Sequence, residues 1–274
     1  MWTRIIWLFI MFLLGKHICF PSSSRYLELA DSADFYIAHE NWEKAEKVII
    51  EALRLEPANF SNSLLFSNLG IVQAAKGEYS KAIQSLSLGL DIAPSSSVLL
   101  NNRAHTFLMI DSVANAVKDL DKSLQIDSIQ EWTLVTRAFL YLQNKEIKKA
   151  SKLFSKASYN FPNNSSVFAG LAALSELEQK YNDAKNYYKM ALTLNHLDDE
   201  TRESYIMLLI RTDDYTKARA EIKEALFINP EYPMFYLLRG YLHRLNYRME
   251  EALADKKIAI SKGIDKTFAN SYIP

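Results

Sequence analysis

The sequence predicts an all-α chain built from seven consecutive helix-turn-helix units, and three observations predict it. An alanine recurs at Ala45, Ala82, Ala116, Ala150, Ala184, Ala218 and Ala252, with one interval of 37 residues followed by five of 34. Further small residues keep the same register. Ala33, Gly70, Ala104, Ala138, Ala172 and Gly240 stand twelve positions before these alanines. Ala52, Gly89, Ser123, Ala157, Ala191, Ala225 and Ala259 stand seven after. The segments between keep an apolar period near 3.6, and 274 residues include only seven glycines and seven prolines.

A packing rule accounts for the register. Two antiparallel helices approach closely only where side chains are small, and bulky neighbours then fill the grooves. The bulky residues fall four positions after each alanine, at Ile49, Leu86, Leu120, Phe154, Tyr188 and Ile222. Two positions depart from the pattern: Ile206 replaces the small residue in the sixth unit, and Lys256 replaces the bulky one in the seventh. A single helix pair cannot bury its own apolar stripe, so stability is expected to come from stacking neighbours, with Lys256 suiting a polar terminal face.

In the fourth unit Ala150, Phe154, Ala157 and Pro162 form the pattern A-x3-F-x2-A-x4-P. With the 34-residue period, it resembles the tetratricopeptide repeat. The resemblance covers residues 26–264 and implies a right-handed α-α superhelix, or solenoid. Its units would lie near 26–59, 63–96, 97–130, 131–164, 165–198, 199–232 and 233–264.

The unit boundaries follow local chemistry. Asn41-Trp42 marks the first internal turn and Pro57 closes the first unit, while the extra residues of the 37-residue interval fall in the linker 58–62. Gly77 suits a left-handed helix cap. Pro94 with Ser95–Ser97 is expected to open the third unit, the proline in the first turn and the serines capping it. Asp111-Ser112 marks its internal turn. Gln130-Glu131 opens the fourth unit and Asn163–Ser165 the fifth. Asp198-Asp199, Asp213-Asp214 and Glu250-Glu251 place negative charge at helix starts, where the helix dipole favours it. Pro230 and Pro233 bracket the start of the seventh unit, Gly263 ends the last long helix, and residues 265–274 are expected to be a short tail.

Residues 1–23 differ in kind. Arg4 precedes the apolar run Ile5–Leu14, and Pro21–Ser24 supplies small residues. This is the pattern of an export signal peptide. Ten apolar residues are too few for a comfortable membrane span, which takes about 20. Retention of residues 5–14 as an anchor is the alternative. Cys19, the only cysteine, stands where a lipidated cysteine would, but Lys16-His17-Ile18 before it lacks small residues. The sequence beyond residue 20 therefore holds no disulfide and no thiolate metal site.

No catalytic motif is present. The five histidines include no pair at i, i+4, and neither a phosphate-binding nor a dinucleotide-binding glycine loop occurs. A serine nucleophile elbow is absent as well. The chain is therefore expected to be non-catalytic, without cofactor or metal. A net charge of zero lacks the basic excess that phosphate binding shows, so no nucleic-acid partner is expected. Asn59-Phe60-Ser61 and Asn164-Ser165-Ser166 fit the glycosylation acceptor pattern.

The resemblance also implies a binding surface, since the first helix of each such unit lines a concave groove. Carried onto this chain, the candidate groove residues are Asn101, Asn102, His105, Trp132, Val135, Phe139, Leu142, Met207, Ile210, Tyr241 and Arg244. The carboxylate clamp of some family members is not reproduced: Asn102 fits, but Ser67, Ile71, Trp132 and Thr136 stand at the other places. An apolar and aromatic groove suits a peptide or amphipathic helix of a protein partner. The expected role is an exported interaction scaffold, in a bacterial periplasm or cell envelope. The alternatives are a membrane-anchored assembly factor and an accessory subunit of an envelope enzyme.

Overall fold

The computed structural model describes residues 22–274. The apolar run, Cys19 and nearly all of the expected leader lie outside the described residues. Fifteen helices follow without a strand among the described residues, in two compact units divided after Asp127.

The first unit holds three hairpins: α1 (Ser24–Ala38) with α2 (Trp42–Leu55), α3 (Asn62–Ala75) with α4 (Tyr79–Ile92), and α5 (Ser97–Met109) with α6 (Val113–Ile126). The second holds α7 (Glu131–Gln143) with α8 (Ile147–Asn160), α9 (Ser165–Leu177) with α10 (Tyr181–Leu194), α11 (Asp199–Arg211) with α12 (Tyr215–Ile228), and α13 (Pro233–Leu245) with α14 (Met249–Ser261). A short α15 (Lys266–Tyr272) follows.

The small-residue register is the core. All seven recurring alanines are fully buried, as are Ala33, Ala104, Ala138 and Ala172. Ile49, Leu86, Leu120, Phe154, Tyr188 and Ile222 lie buried beside them. Ile206 is equally buried, and here the departure from the pattern has a consequence. The α11–α12 pair makes the fewest close backbone approaches of any described hairpin. A branched side chain where its neighbours carry Ala or Gly holds the two helices apart.

Each hairpin turns through one residue with positive φ: Glu40, Gly77, Asp111, Lys145, Gln179, Asp213 and Tyr247. Only one is glycine. Ser23, Asn41, Ser96, Asn164 and Asp198 cap their helices by accepting a backbone N–H. Two expectations need correction. Pro94 lies in the turn before α5, which begins at Ser97 with Ser96 as its cap. Asp213 takes the left-handed turn position (φ 55°) rather than a helix start, while Asp214 precedes α12 and binds Lys217 Nζ at 2.8 Å.

The expected tail is also more than a tail. Asp265 caps α15 by accepting the Phe268 N–H at 2.9 Å, and Ala269 and Ile273 are completely buried against the last hairpin.

Candidate functional site

Exposed surface lined by first helices forms three hollows, one in the first unit and two in the second. In the first unit Ile71, Ala74 and Ala75 of α3 face Asn102, His105 and Met109 of α5 across a cavity of about 390 Å³. Asn102 is held from behind, its Nδ2 donating to Ser67 Oγ at 3.0 Å, while its backbone carbonyl accepts from Thr106 Oγ1 at 2.8 Å. It is therefore positioned by the fold, as a groove residue should be.

In the second unit Phe139 and Thr136 of α7 and Ala173 and Leu177 of α9 border a hollow of about 560 Å³. Phe139 meets the ring of Phe154 edge-on, with centroids 5.2 Å apart. Leu142 forms part of its floor but is only 9% exposed.

The third hollow, about 470 Å³, lies among α11, α13 and α15. Met207 and Ile210 supply one wall and Tyr241 and Tyr272 the other, over Leu238. The two tyrosines meet edge-on with centroids 5.9 Å apart. Polar groups stand at its rim: Tyr215 Oη donates to Asp213 Oδ1 at 2.6 Å, and the Arg211 guanidinium pairs with Glu176. Tyr188 Oη donates to the same Glu176 carboxylate, which fixes the arginine from below. On the neighbouring surface Tyr232 Oη donates to Glu203 at 2.7 Å. Burial still holds the Glu203 carboxyl above its ordinary range.

The structure thus brings together Asn102 with His105, Phe139 with Leu142, and Met207 with Ile210 and Tyr241. It does not place Asn101, Trp132, Val135 or Arg244 in these hollows. Val135 is 8% exposed because its side chain packs between helices. Trp132 is exposed in the first turn of α7. Arg244 lies with its guanidinium 5.0 Å from the Tyr241 ring centroid, supporting that wall from outside. Sequence reasoning missed Tyr215 and Tyr272, which come from a second helix and from the supposed tail. The signal was present: Ile264, Phe268 and Tyr272 follow one another at i, i+4, i+8.

The acceptor-pattern asparagines are engaged. Asn59 Nδ2 donates to Ser22 Oγ at 2.9 Å and Glu56 Oε2 at 2.8 Å, and Asn164 Nδ2 to Glu131 Oε1 at 2.7 Å. Among the described residues no group of three or more His, Cys, Asp or Glu could hold a metal ion. No described helix is long and apolar enough to cross a membrane.

Residues 206–259 match the family model of the tetratricopeptide repeat. Similar folds occur among solved structures. A tetratricopeptide repeat protein from Parabacteroides merdae superposes with a TM-score of 0.73 at 24% identity, covering 92% of this chain and 98% of that one. PilF of Pseudomonas aeruginosa gives 0.66 at 21%, covering 77% and 96%. YrrB, described as having an unusual peptide-binding site, gives 0.51 at 20%, covering 68% and 96%. Residues 206–259 thus resemble the tetratricopeptide repeat in sequence, and the other hairpins share its fold. The likeness to solved structures shows the fold, an all-α array of such hairpins. No curated protein sequence matches the chain. The hollows of the second unit are bordered mainly by first-helix residues, with Tyr215 of α12 and Tyr272 of α15 added to the walls around Leu238.

Proposed function

We propose that this tetratricopeptide protein is a non-catalytic interaction scaffold that binds a peptide or amphipathic helix of a partner protein along the first-helix surface of its second unit. The observation that carries the reading is the hollow among α11, α13 and α15. Its walls are Met207, Ile210, Tyr241 and Tyr272, and Met207 is 42% exposed although it is a large apolar side chain. Rigid aromatic walls with a charged rim are what an apolar anchor residue of a partner requires. The peptide site named for YrrB supports the same kind of use for a related fold.

The test is capture of partners by the purified chain, comparing wild type with a Tyr241→Ala, Met207→Ala pair. Loss of the main partner, with an unchanged helical spectrum, is expected. Full retention by the pair sinks this placement of the groove.

The leader supports an exported location, a bacterial periplasm or cell envelope. The mature N-terminus, read by mass spectrometry, decides between release and anchoring: an N-terminus near Ser22 supports cleavage, and intact Met1 in the membrane fraction supports retention of residues 5–14.

A further inference from the structure

Opposite the groove, the second helices of the second unit carry a pattern that the scaffold reading does not use. In α10 the positions one, five and nine after the recurring alanine are Lys185, Lys189 and Thr193, and in α12 they are Arg219, Lys223 and Phe227. Residues spaced by four share one helix face, so these sets form parallel rows. The outward face of α8 adds Lys148, Lys152 and Tyr159, which fall within one narrow sector at 3.6 residues per turn.

Lys185 pairs with Asp214 at 3.6 Å, but the other basic groups are available. Lys148, Lys152, Lys189, Arg219 and Lys223 are all exposed. None of the five is in an ion pair among the described residues. Tyr159 is 86% and Phe227 88% exposed, which is unusual for large aromatic side chains. Met190 of α10 and Leu253 of α14 are 44% and 47% exposed. In the first unit the one, five and nine positions hold the acidic residues Glu46, Asp91 and Asp121 against a single basic residue, Arg54. The zero net charge of the chain conceals this division. Residues 128–274 carry 21 Lys and Arg against 18 Asp and Glu, and residues 22–127 carry nine against 14.

We propose that this outward face of the second unit docks on an anionic bilayer surface. The basic rows supply attraction to lipid headgroups, and Tyr159 and Phe227 supply the shallow apolar insertion that an interface accepts. Apolar side chains of this kind favour a bilayer over a phosphate backbone or a carboxylate-rich protein, which would leave Phe227 and Leu253 in water.

The test is co-sedimentation of the full chain with phosphatidylcholine vesicles, with and without phosphatidylglycerol. Wild type is expected to prefer the anionic vesicles and to release with added salt. Changing Lys152, Lys189, Arg219 and Lys223 together to Gln should lower the partition coefficient on anionic vesicles about a thousandfold, at roughly one kcal/mol per basic group near the surface. Phe227→Trp should show a blue-shifted emission change, relative to the wild-type tryptophans, only with anionic vesicles. The leader is the same in every variant, so any binding it contributes cancels in the comparison, and circular dichroism checks folding. The proposal is overturned if the four-residue variant binds as wild type does. It is overturned equally if the wild type binds poly-glutamate or duplex oligonucleotide but not anionic vesicles.

Discussion

The ring of Phe154 occupies the space that a Cβ on Gly170 would fill: an added carbon would lie 2.1 Å from Cε1 of that ring. Phe154, on α8, is completely buried, so it cannot swing aside. The aromatic residue of the repeat motif thus sets the identity of a residue in the next hairpin. Gly170→Ala is expected to cost about 1–3 kcal/mol through overpacking, read by chemical denaturation. Phe154→Leu should recover much of that loss in the double variant, because the two sites share one contact. Simple additivity of the two single changes would refute direct coupling.

The turn residues give a second expectation, opposite in sign. Gln179 has φ 59°, a region that costs a side-chain-bearing residue about 1–2 kcal/mol. Glycine removes that strain but loses about 0.5–1 kcal/mol in backbone entropy. Gln179→Gly should therefore stabilise modestly, by roughly 0.5 kcal/mol. Gly77 at φ 76° has nothing within 4 Å of a built Cβ, so Gly77→Ala isolates the conformational term and should destabilise. Melting both variants beside wild type checks the pair of signs, and two shifts in the same direction would contradict the account.

These two cases also show what was legible in the sequence. The alanine register located every hairpin because a 34-residue repeat of small side chains has few explanations other than close helix packing. A left-handed cap was expected only at Gly77; Asp111 was placed in a turn and Asp213 at a helix start, although aspartate tolerates that region, while Glu40, Lys145, Gln179 and Tyr247 carry no residue-type signal for positive φ. Groove residues were harder still. Val135 and Met207 occupy neighbouring classes of inward position, yet one is buried and the other 42% exposed. That difference depends on the size of the facing side chains, which a register alone does not specify. The short α15 was taken for a tail because its period spans barely two turns.

A repeated ion pair was likewise hidden. Arg103 Nε and Nη2 donate to the two oxygens of Asp119 at 2.7 and 2.8 Å, and Arg239 grips Asp255 in the same way at 2.9 and 2.7 Å. Asp119 is 5% exposed and Asp255 4%. In the fourth hairpin the matching arginine, Arg137, lies 3.8 Å from the Tyr141 ring centroid, and the matching acidic position is Leu153. Arg103→Met should cost about 3 kcal/mol, because a buried carboxylate loses its partner. Adding Asp119→Leu should restore much of the stability, since a packed apolar pair replaces two desolvated charges. If the double variant is less stable than Arg103→Met alone, the burial argument fails.

Glu203 makes a pH expectation. Its carboxyl is raised above the ordinary value by burial, against the opposing hydrogen bond from Tyr232. The folded state then binds more protons than the unfolded state between the ordinary carboxyl pKa and the raised one, so this group's contribution to stability falls as pH rises through that window. Glu203→Gln should remove the dependence and leave the protein more stable at neutral pH than wild type, provided the amide oxygen still accepts from Tyr232. Denaturation midpoints from pH 4 to 7 test this, and an unchanged slope would show that Glu203 is not the group responsible.

Ile273 ties stability to the third hollow. It is completely buried against α13 and α14, and its side chain is the nearest atom to a carbon built on Gly240, at 2.7 Å. The adjacent Tyr272 forms one wall of the hollow. Ile273→Ala should cost roughly 2–5 kcal/mol if α15 stays docked around the gap. A smaller loss is expected if α15 instead detaches, because the remaining hairpins keep their own contacts. Hydrogen exchange separates the two outcomes: fast exchange confined to 266–273 means detachment. In that case Tyr272 leaves the wall, and a partner captured through Tyr241 and Met207 should bind more weakly although neither residue has been changed. Unaltered partner binding with α15 released would show that the hollow functions without Tyr272 in its wall.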